Sequence, residues 1–259
     1  MGETNDSKHG VQSLEVGMRV LHAMAQGDRA MMLKDIAAAS GMAPSKAHRY
    51  LVSFIRAGLV EQDPATARYD LGAFALQLGL VALDRIDRIR LGLDAIIALR
   101  DAINETTALA VWTPQGAVVV RWERPRRPIV VNVLTGTALG LLDSAAGRVF
   151  GAWLPALRTE ALMRAELAAG RGGVHTPQAA RALLEATRAR GYARLASDHQ
   201  VAGIEAAAAP VFNFRGDISM ALIVVGVAGS IDLGPDSAAL AALRDAAAQL
   251  SARLGAPGA

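Results

Sequence analysis

Apolar residues recur at helical spacing through the first third of the chain. The first such stretch, 11–25 (VQSLEVGMRVLHAMA), places Leu14, Met18, Leu21 and Met24 on one side, predicting a buried face with Ser13 as its cap and Gly27-Asp28 as its end. Leu33, Ile36 and Ala37 mark a short second helix, and Ser40-Gly41 ends it, because glycine adopts the left-handed backbone of a sharp turn at little cost. Pro44 suits the first turn of a third helix, where its missing N–H breaks no hydrogen bond. Ala47, Leu51, Phe54 and Ile55 then repeat with the 3.6 period and face inward. Two short alternating segments, Leu59–Glu61 and Arg68–Leu71, flank the turn-rich Asp63-Pro64-Ala65-Thr66-Ala67 and predict a small hairpin.

The polar positions of the third helix carry the chemistry. Ser45, Lys46, His48, Arg49, Val52 and Arg56 are left pointing outward, with no acid among residues 45–56. A short helix presenting hydroxyl, ammonium, imidazole and guanidinium groups suits the major groove of duplex DNA, where such donors meet guanine and phosphate oxygens. A basic helix face is commonly just solvated. Here the hairpin that follows argues against that reading, since a helix-turn-helix followed by a hairpin is a winged helix, whose Arg68 would reach phosphate or the minor groove.

After a long helix expected over 73–90, with Phe74, Leu78, Val81 and Leu83 on a face that needs a partner, the rhythm changes. A helix near 91–104 precedes strand-like runs at 107–112, 117–122 and 129–133. Helices follow at about 144–153, 158–168 and 177–190, then strands at 192–196, 204–212 and 218–227, and a closing helix from Pro235 to about Arg253. Hairpin-linked strands with helices on one or both faces make an α+β, sensor-like domain. The expected organisation is a flexible tail at 1–9, a winged helix-turn-helix domain at 10–72, a linker helix at 73–90 and a second domain at 91–259.

Composition narrows the function classes. Hydrophobic residues are 52% of 259 and charged residues 20%, a globular balance over a length that accommodates two cores. There is no cysteine, which excludes disulfides, iron–sulfur ligation and thiol catalysis and fits a cytoplasmic location. The N-terminus lacks a signal-peptide core, and no apolar run is long enough to span a bilayer, so no membrane association is expected. Net charge is only +3, and the eight Lys/Arg of residues 1–72 are matched by eight Asp/Glu. The case for DNA therefore rests on where charge is placed, and a near-neutral module needs dimerisation to supply useful affinity.

These residues resemble a known family. Val11-Gln12-Ser13-Leu14-Glu15-Val16-Gly17, Gly41 to Leu51, Glu61-Gln62-Asp63, Arg68-Tyr69 and Leu71-Gly72 are similar to the opening helix, recognition helix and wing of IclR-type bacterial transcriptional regulators. Ser144-Ala145-Ala146-Gly147-Arg148, Arg190-Gly191-Tyr192, Gly203-Ile204 and Ala208-Ala209-Pro210-Val211-Phe212 follow in that family's order. The resemblance implies a winged helix joined by a linker helix to a GAF-like effector-binding domain, assembled as a homodimer or dimer of dimers. It implies double-stranded operator DNA and a small organic effector from catabolism as partners, and a repressor released by ligand is expected. Carried over, Ser45, Lys46, His48 and Arg49 become operator contacts, with Lys46 standing where the family commonly has threonine. The effector positions fall at Ala145, Ala146, Ala196, Ala206, Ile223 and Val225; the last two stand where relatives binding hydrophilic acids carry serines. A pocket so bare of hydroxyls implies an aromatic or largely apolar acid, its carboxylate held at a helix N-terminus.

Other chemistry finds little support. His9, His22, His48, His175 and His199 have no metal-ligand spacing, and Gly170-Arg171-Gly172-Gly173 lacks the Lys-Ser/Thr of a phosphate-binding loop, so neither metal nor cofactor is expected. Ser197-Asp198-His199-Gln200 has no nucleophile elbow and reads as a pocket rim from which His199 touches ligand, leaving no catalytic residue. Trp112 is a further candidate for the pocket; for it and Trp122 core packing is the alternative. Arg121, Arg124, Arg126 and Arg127 read as a solvated loop. The competing class is an enzyme or small-molecule carrier whose front helices serve dimerisation, and the outward basic face of helix 44–57 discriminates against it.

Overall fold

The computed structural model describes residues 10–27, 29–126, 135–195 and 203–258. The chain divides into two compact units at Ile86/Asp87.

The first unit contains helices α1 (Gln12–Gln26), α2 (Leu33–Ala39) and α3 (Pro44–Arg56), strands β1 (Val60–Gln62) and β2 (Tyr69–Leu71), and helix α4 (Ala73–Arg85). Val20, Met24, Ile36, Leu51, Phe54, Val60 and Tyr69 form its core. Strands β1 and β2 pair antiparallel, Glu61 opposite Asp70, and Met31 adds a bridge to Tyr69. Gly41 takes φ +66 at the α2–α3 turn, as its position requires. Three expectations are corrected. Val11, not Ser13, precedes α1, and no side chain caps it. Leu14 and Met18 are exposed while Gly17, Val20, Ala23 and Met24 are buried, so the buried stripe of α1 lies one position round the helix from the large residues. Ile55 is also exposed, because α3 buries only the narrower row Ala47, Leu51 and Phe54.

The second unit begins with α5 (Arg88–Ile103), capped by the Asp87 side chain, which accepts from the Arg90 amide at 2.9 Å. The helix expected over 73–90 is therefore two helices. Among the described residues six strands follow: β3 (Thr106–Thr113), β4 (Gly116–Glu123), β5 (Ala138–Leu139), β6 (Ala193–Leu195), β7 (Ile204–Phe212) and β8 (Ile218–Val227). They form one antiparallel sheet in the order β5-β4-β3-β8-β7-β6. The strand-like run 129–133 and the tail 1–9 lie outside the described residues. Helices α6 (Ala145–Trp153), α7 (Ala156–Ala168), α8 (Pro177–Arg190) and α9 (Ala238–Arg253) complete the unit. The last begins at Ala238, three residues later than expected, because Ser237 is its cap.

Alternation along the strands sorts the two faces. Thr107, Leu109 and Met220 face α5: the Thr107 hydroxyl donates to the Ile96 carbonyl, and Gly92 lies close against Leu109 and Met220. Ala108, Ala110, Ala208, Ala221, Ile223 and Val225 face α6 and share a core with Ala145, Ala146, Val149 and Phe150. With both faces covered, the central strand β8 is buried from Met220 to Gly226.

Candidate functional site

Helix α3 presents the first candidate site. Ala47, Leu51 and Phe54 fix its buried side, and the remaining angular range is open. Ser45, Lys46, His48, Arg49 and Arg56 are all exposed on it, while Val52 is half-buried. The wing is built by a turn in which the Asp63 carboxylate accepts the Thr66 hydroxyl at 2.6 Å and the Ala65 amide at 2.9 Å. Those two bonds hold the Asp63 carboxyl below its usual pKa. Arg68, exposed at the base of the wing, donates to the Ala30 carbonyl at 3.1 Å. The sequence-based reading had given it no partner within the protein. That bond ties the wing to the segment before α2 and holds part of the guanidinium close to the fold.

The second candidate site lies between α6 and the sheet. The six described residues named for it from sequence (Trp112, Ala145, Ala146, Ala206, Ile223 and Val225) belong to or pack on one apolar cluster. Ala196 and His199 lie outside the described residues. Register gives the face its detail. Trp122, Ala108, Ile223, Ala208 and Ala193 stand opposite one another across five successive strands. Beside this row, Thr106, Val225, Ala206 and Leu195 form the next. Trp112 lies against Phe150 of α6, with ring centroids 5.6 Å apart and the rings tilted at 47°.

The start of α6 is held by several bonds. The Ser144 hydroxyl accepts from the Gly147 amide at 2.9 Å and donates to the Gly140 carbonyl at 2.6 Å. The amides of Ala145 and Ala146 open the helix, where no preceding turn supplies carbonyl partners and the dipole favours an anion. Gly147 has to be glycine, since a Cβ there would run into the Gly140 carbonyl and Leu141 backbone. Two buried charged residues brace the loop from behind. Glu166 on α7 accepts the Leu141 amide at 2.6 Å and the Leu142 amide at 2.8 Å. Arg148 donates its Nε to the Leu142 carbonyl at 2.7 Å. Desolvation, and then repulsion from Arg190, lower the Arg148 pKa to about 10, with Asp143 opposing. The guanidinium remains a cation at neutral pH.

Neither Glu166 nor Arg148 had been read from sequence as a brace. Elsewhere, Arg121 lies in β4 rather than in the solvated loop expected there, and pairs with Glu123 of the same strand; exposed Arg126 pairs with Asp101, and Arg127 is outside the described residues. Among the described residues no group of His, Asp and Glu is placed to hold a metal ion, and no helix is long and apolar enough to cross a membrane. Cavities of about 700 and 470 Å³ open beside α9, and none of the six effector-site residues above lines either one.

Comparison with known proteins covers both units of the chain. Residues 13–64 match the IclR helix-turn-helix domain, and residues 81–252 match the bacterial transcriptional regulator IclR C-terminal domain. A glycerol operon regulatory protein of Streptomyces griseus is 36% identical over 256 residues, 95% of this chain and 97% of that protein. The crystal structure of HmgR from Pseudomonas aeruginosa aligns with a TM-score of 0.81 at 39% identity, covering 96% of this chain and 100% of that one. A structure of an IclR homologue from Microbacterium hydrocarbonoxydans complexed with 4-hydroxybenzoate shares the fold, with TM-score 0.54 and 22% identity over 93% of this chain and 98% of that one. Its helix-turn-helix unit, its sheet domain and its near full-length relatives place this chain in the IclR family of DNA-binding bacterial transcriptional regulators, which are not enzymes.

Proposed function

We propose that this chain is a ligand-responsive repressor of catabolic genes that binds a pseudo-palindromic operator as a dimer or tetramer. Residues 10–72 read the DNA, the 73–90 segment links, and the remainder senses a small aromatic or largely apolar acid. The observation that carries the DNA reading is the exposed face of α3, with Ser45, Lys46, His48 and Arg49 uncovered and no acid on that helix. These four side chains enter the major groove, and Arg68 follows the backbone beside it. Two such helices in a symmetric dimer meet successive major grooves, so half-sites lie one helical turn or a multiple apart.

The effector reading rests on the α6 face. Alanines at 108, 110, 193, 206, 208 and 221, with Ile223 and Val225, offer a flat apolar body little to hydrogen-bond to, and the first amides of α6 favour a carboxylate. The relative crystallised with 4-hydroxybenzoate supports an acid of this type. Ligand acts by binding one arrangement of the assembly better than the other, and it shifts the equilibrium only by that difference.

Fluorescence anisotropy against the DNA upstream of its own gene, in competitor DNA and with a panel of aromatic and aliphatic acids, tests both halves. Arg49→Ala is expected to weaken operator binding about 10- to 100-fold, with the circular dichroism spectrum and effector affinity unchanged. Wild-type affinity in that variant would remove α3 as the reading element. Tight binding of a small hydrophilic dicarboxylate with no response to aromatic acids would overturn the effector assignment.

A further inference from the structure

The α6 face holds one polar atom whose situation the packing alone does not explain. The indole Nε1 of Trp122 is shielded from solvent and has no hydrogen-bond partner among the described residues. Its ring packs on the apolar cluster of that face, and Trp122 stands directly opposite Ala108, in the row that continues to Ile223 and Ala208. The neighbours in that row carry no acceptor. Thr106, in the adjacent row, contributes a hydroxyl to the same face. A buried donor left unpaired is uncommon in native proteins, and where one persists a missing partner is the usual reason.

We propose that the Trp122 indole N–H is a hydrogen-bond donor of the effector site, and that the effector carries an acceptor oxygen to receive it. Resting on the reading of the α6 face as the effector site, this narrows the ligand class. It is an aromatic acid bearing a hydroxyl or carbonyl oxygen, its ring against the alanine-lined strands and that oxygen at Trp122. A site built to bond an oxygen rejects the analogue that lacks it, because the buried N–H is then left empty.

The test pairs ligands with a variant. Isothermal titration compares 3- and 4-hydroxybenzoate with the matching methylbenzoates, on wild-type protein and on Trp122→Phe, which keeps a ring and removes the N–H. The expected result is a loss of about tenfold on at least one hydroxy acid, within the range for one hydrogen bond, and a change under twofold on its methyl partner. Equal losses on both would mean that Trp122 supplies shape only, overturning the inference. Unchanged affinity for every acid that binds would overturn it too, while leaving the effector reading intact. Binding of none of the acids by wild type would overturn the effector reading, and the inference with it. A second readout uses the full wild-type chain labelled with ¹⁵N-tryptophan, whose three indole signals are assigned by Trp→Phe variants at each position. The Trp122 signal is expected to move downfield with the hydroxy acid and not with the methyl acid. If it is unmoved by a bound hydroxy acid, the inference fails.

Discussion

Glu166 is a carboxylate at 4% exposure that survives inside an apolar layer because two backbone amides, from Leu141 and Leu142, donate to its two oxygens. With the Arg148 guanidinium on the Leu142 carbonyl, it fixes the loop that delivers the first turn of α6. Glu166→Gln keeps the volume but turns an NH₂ group towards one of those amides, leaving a buried donor facing a donor. The expected cost is about 2 kcal/mol, read as a lowered urea midpoint for the full chain with an unchanged denaturant slope; a midpoint equal to wild type would show that the clamp contributes nothing. Part of this was legible in the sequence. Thr159, Leu162, Met163 and Glu166 recur at helical spacing, which places a carboxylate on the inward stripe of α7. Its partners were not legible, since they are main-chain groups of a loop 25 residues earlier, and no side-chain pattern announces a backbone donor. The same limit hid the state of Trp122, whose interest lies in a bond it does not make.

Among the elements, β7, β8 and α8, each bounded by turn residues, match their expected limits, and the boundary between α4 and α5 does not. Strands β7 and β8 are largely apolar runs on either side of the Asn213–Asp217 turn, and each begins and ends where the pattern predicts. Helix α8 is likewise framed by Thr176-Pro177 and Gly191. Between α4 and α5, however, the chain reads Asp84-Arg85-Ile86-Asp87-Arg88, residues that suit a helix and give no sign of a break. The break occurs because Asp87 leaves helical geometry (φ −84, ψ 91) and uses its side chain to cap α5. An aspartate is a good cap and also an ordinary helix residue, so identity alone does not choose between the two. Asp87→Ala removes the acceptor, and a loss of about 1 kcal/mol is expected. Hydrogen exchange localises the effect: the Arg90 amide should exchange faster in Asp87→Ala and near the wild-type rate in Asp87→Asn. Equal protection in wild type and Asp87→Ala would mean that the cap bond is absent in solution.

Over the whole molecule, the open question is what covers α4 and the start of α1. On α4, Leu76 is 65% exposed, Leu80 57%, Leu78 49%, Phe74 42% and Val81 40%; just before α1, Val11 is 65% exposed, and in its first turn Leu14 is 59%. Soluble monomers rarely leave so many large apolar side chains in adjoining turns facing water, and burying one contributes about 1.5–3 kcal/mol. The self-association proposed above would cover these side chains and would also offset the charge balance. The first 72 residues carry no net charge, so one reading head has little non-specific pull towards phosphate, and two heads held together raise each other's effective concentration at the operator. The double variant Leu76→Lys/Leu80→Lys places two ammonium groups in that seam. It is expected to sediment as a smaller species than wild type at micromolar concentration, with effector affinity within twofold and operator affinity reduced at least tenfold. If it sediments as wild type does, α4 lies outside the interface and the self-association proposed for this chain has to be sought on another surface. If it dissociates but still binds the operator at full strength, each head reads DNA independently, and a spacing change between paired heads is removed as the way a ligand controls repression.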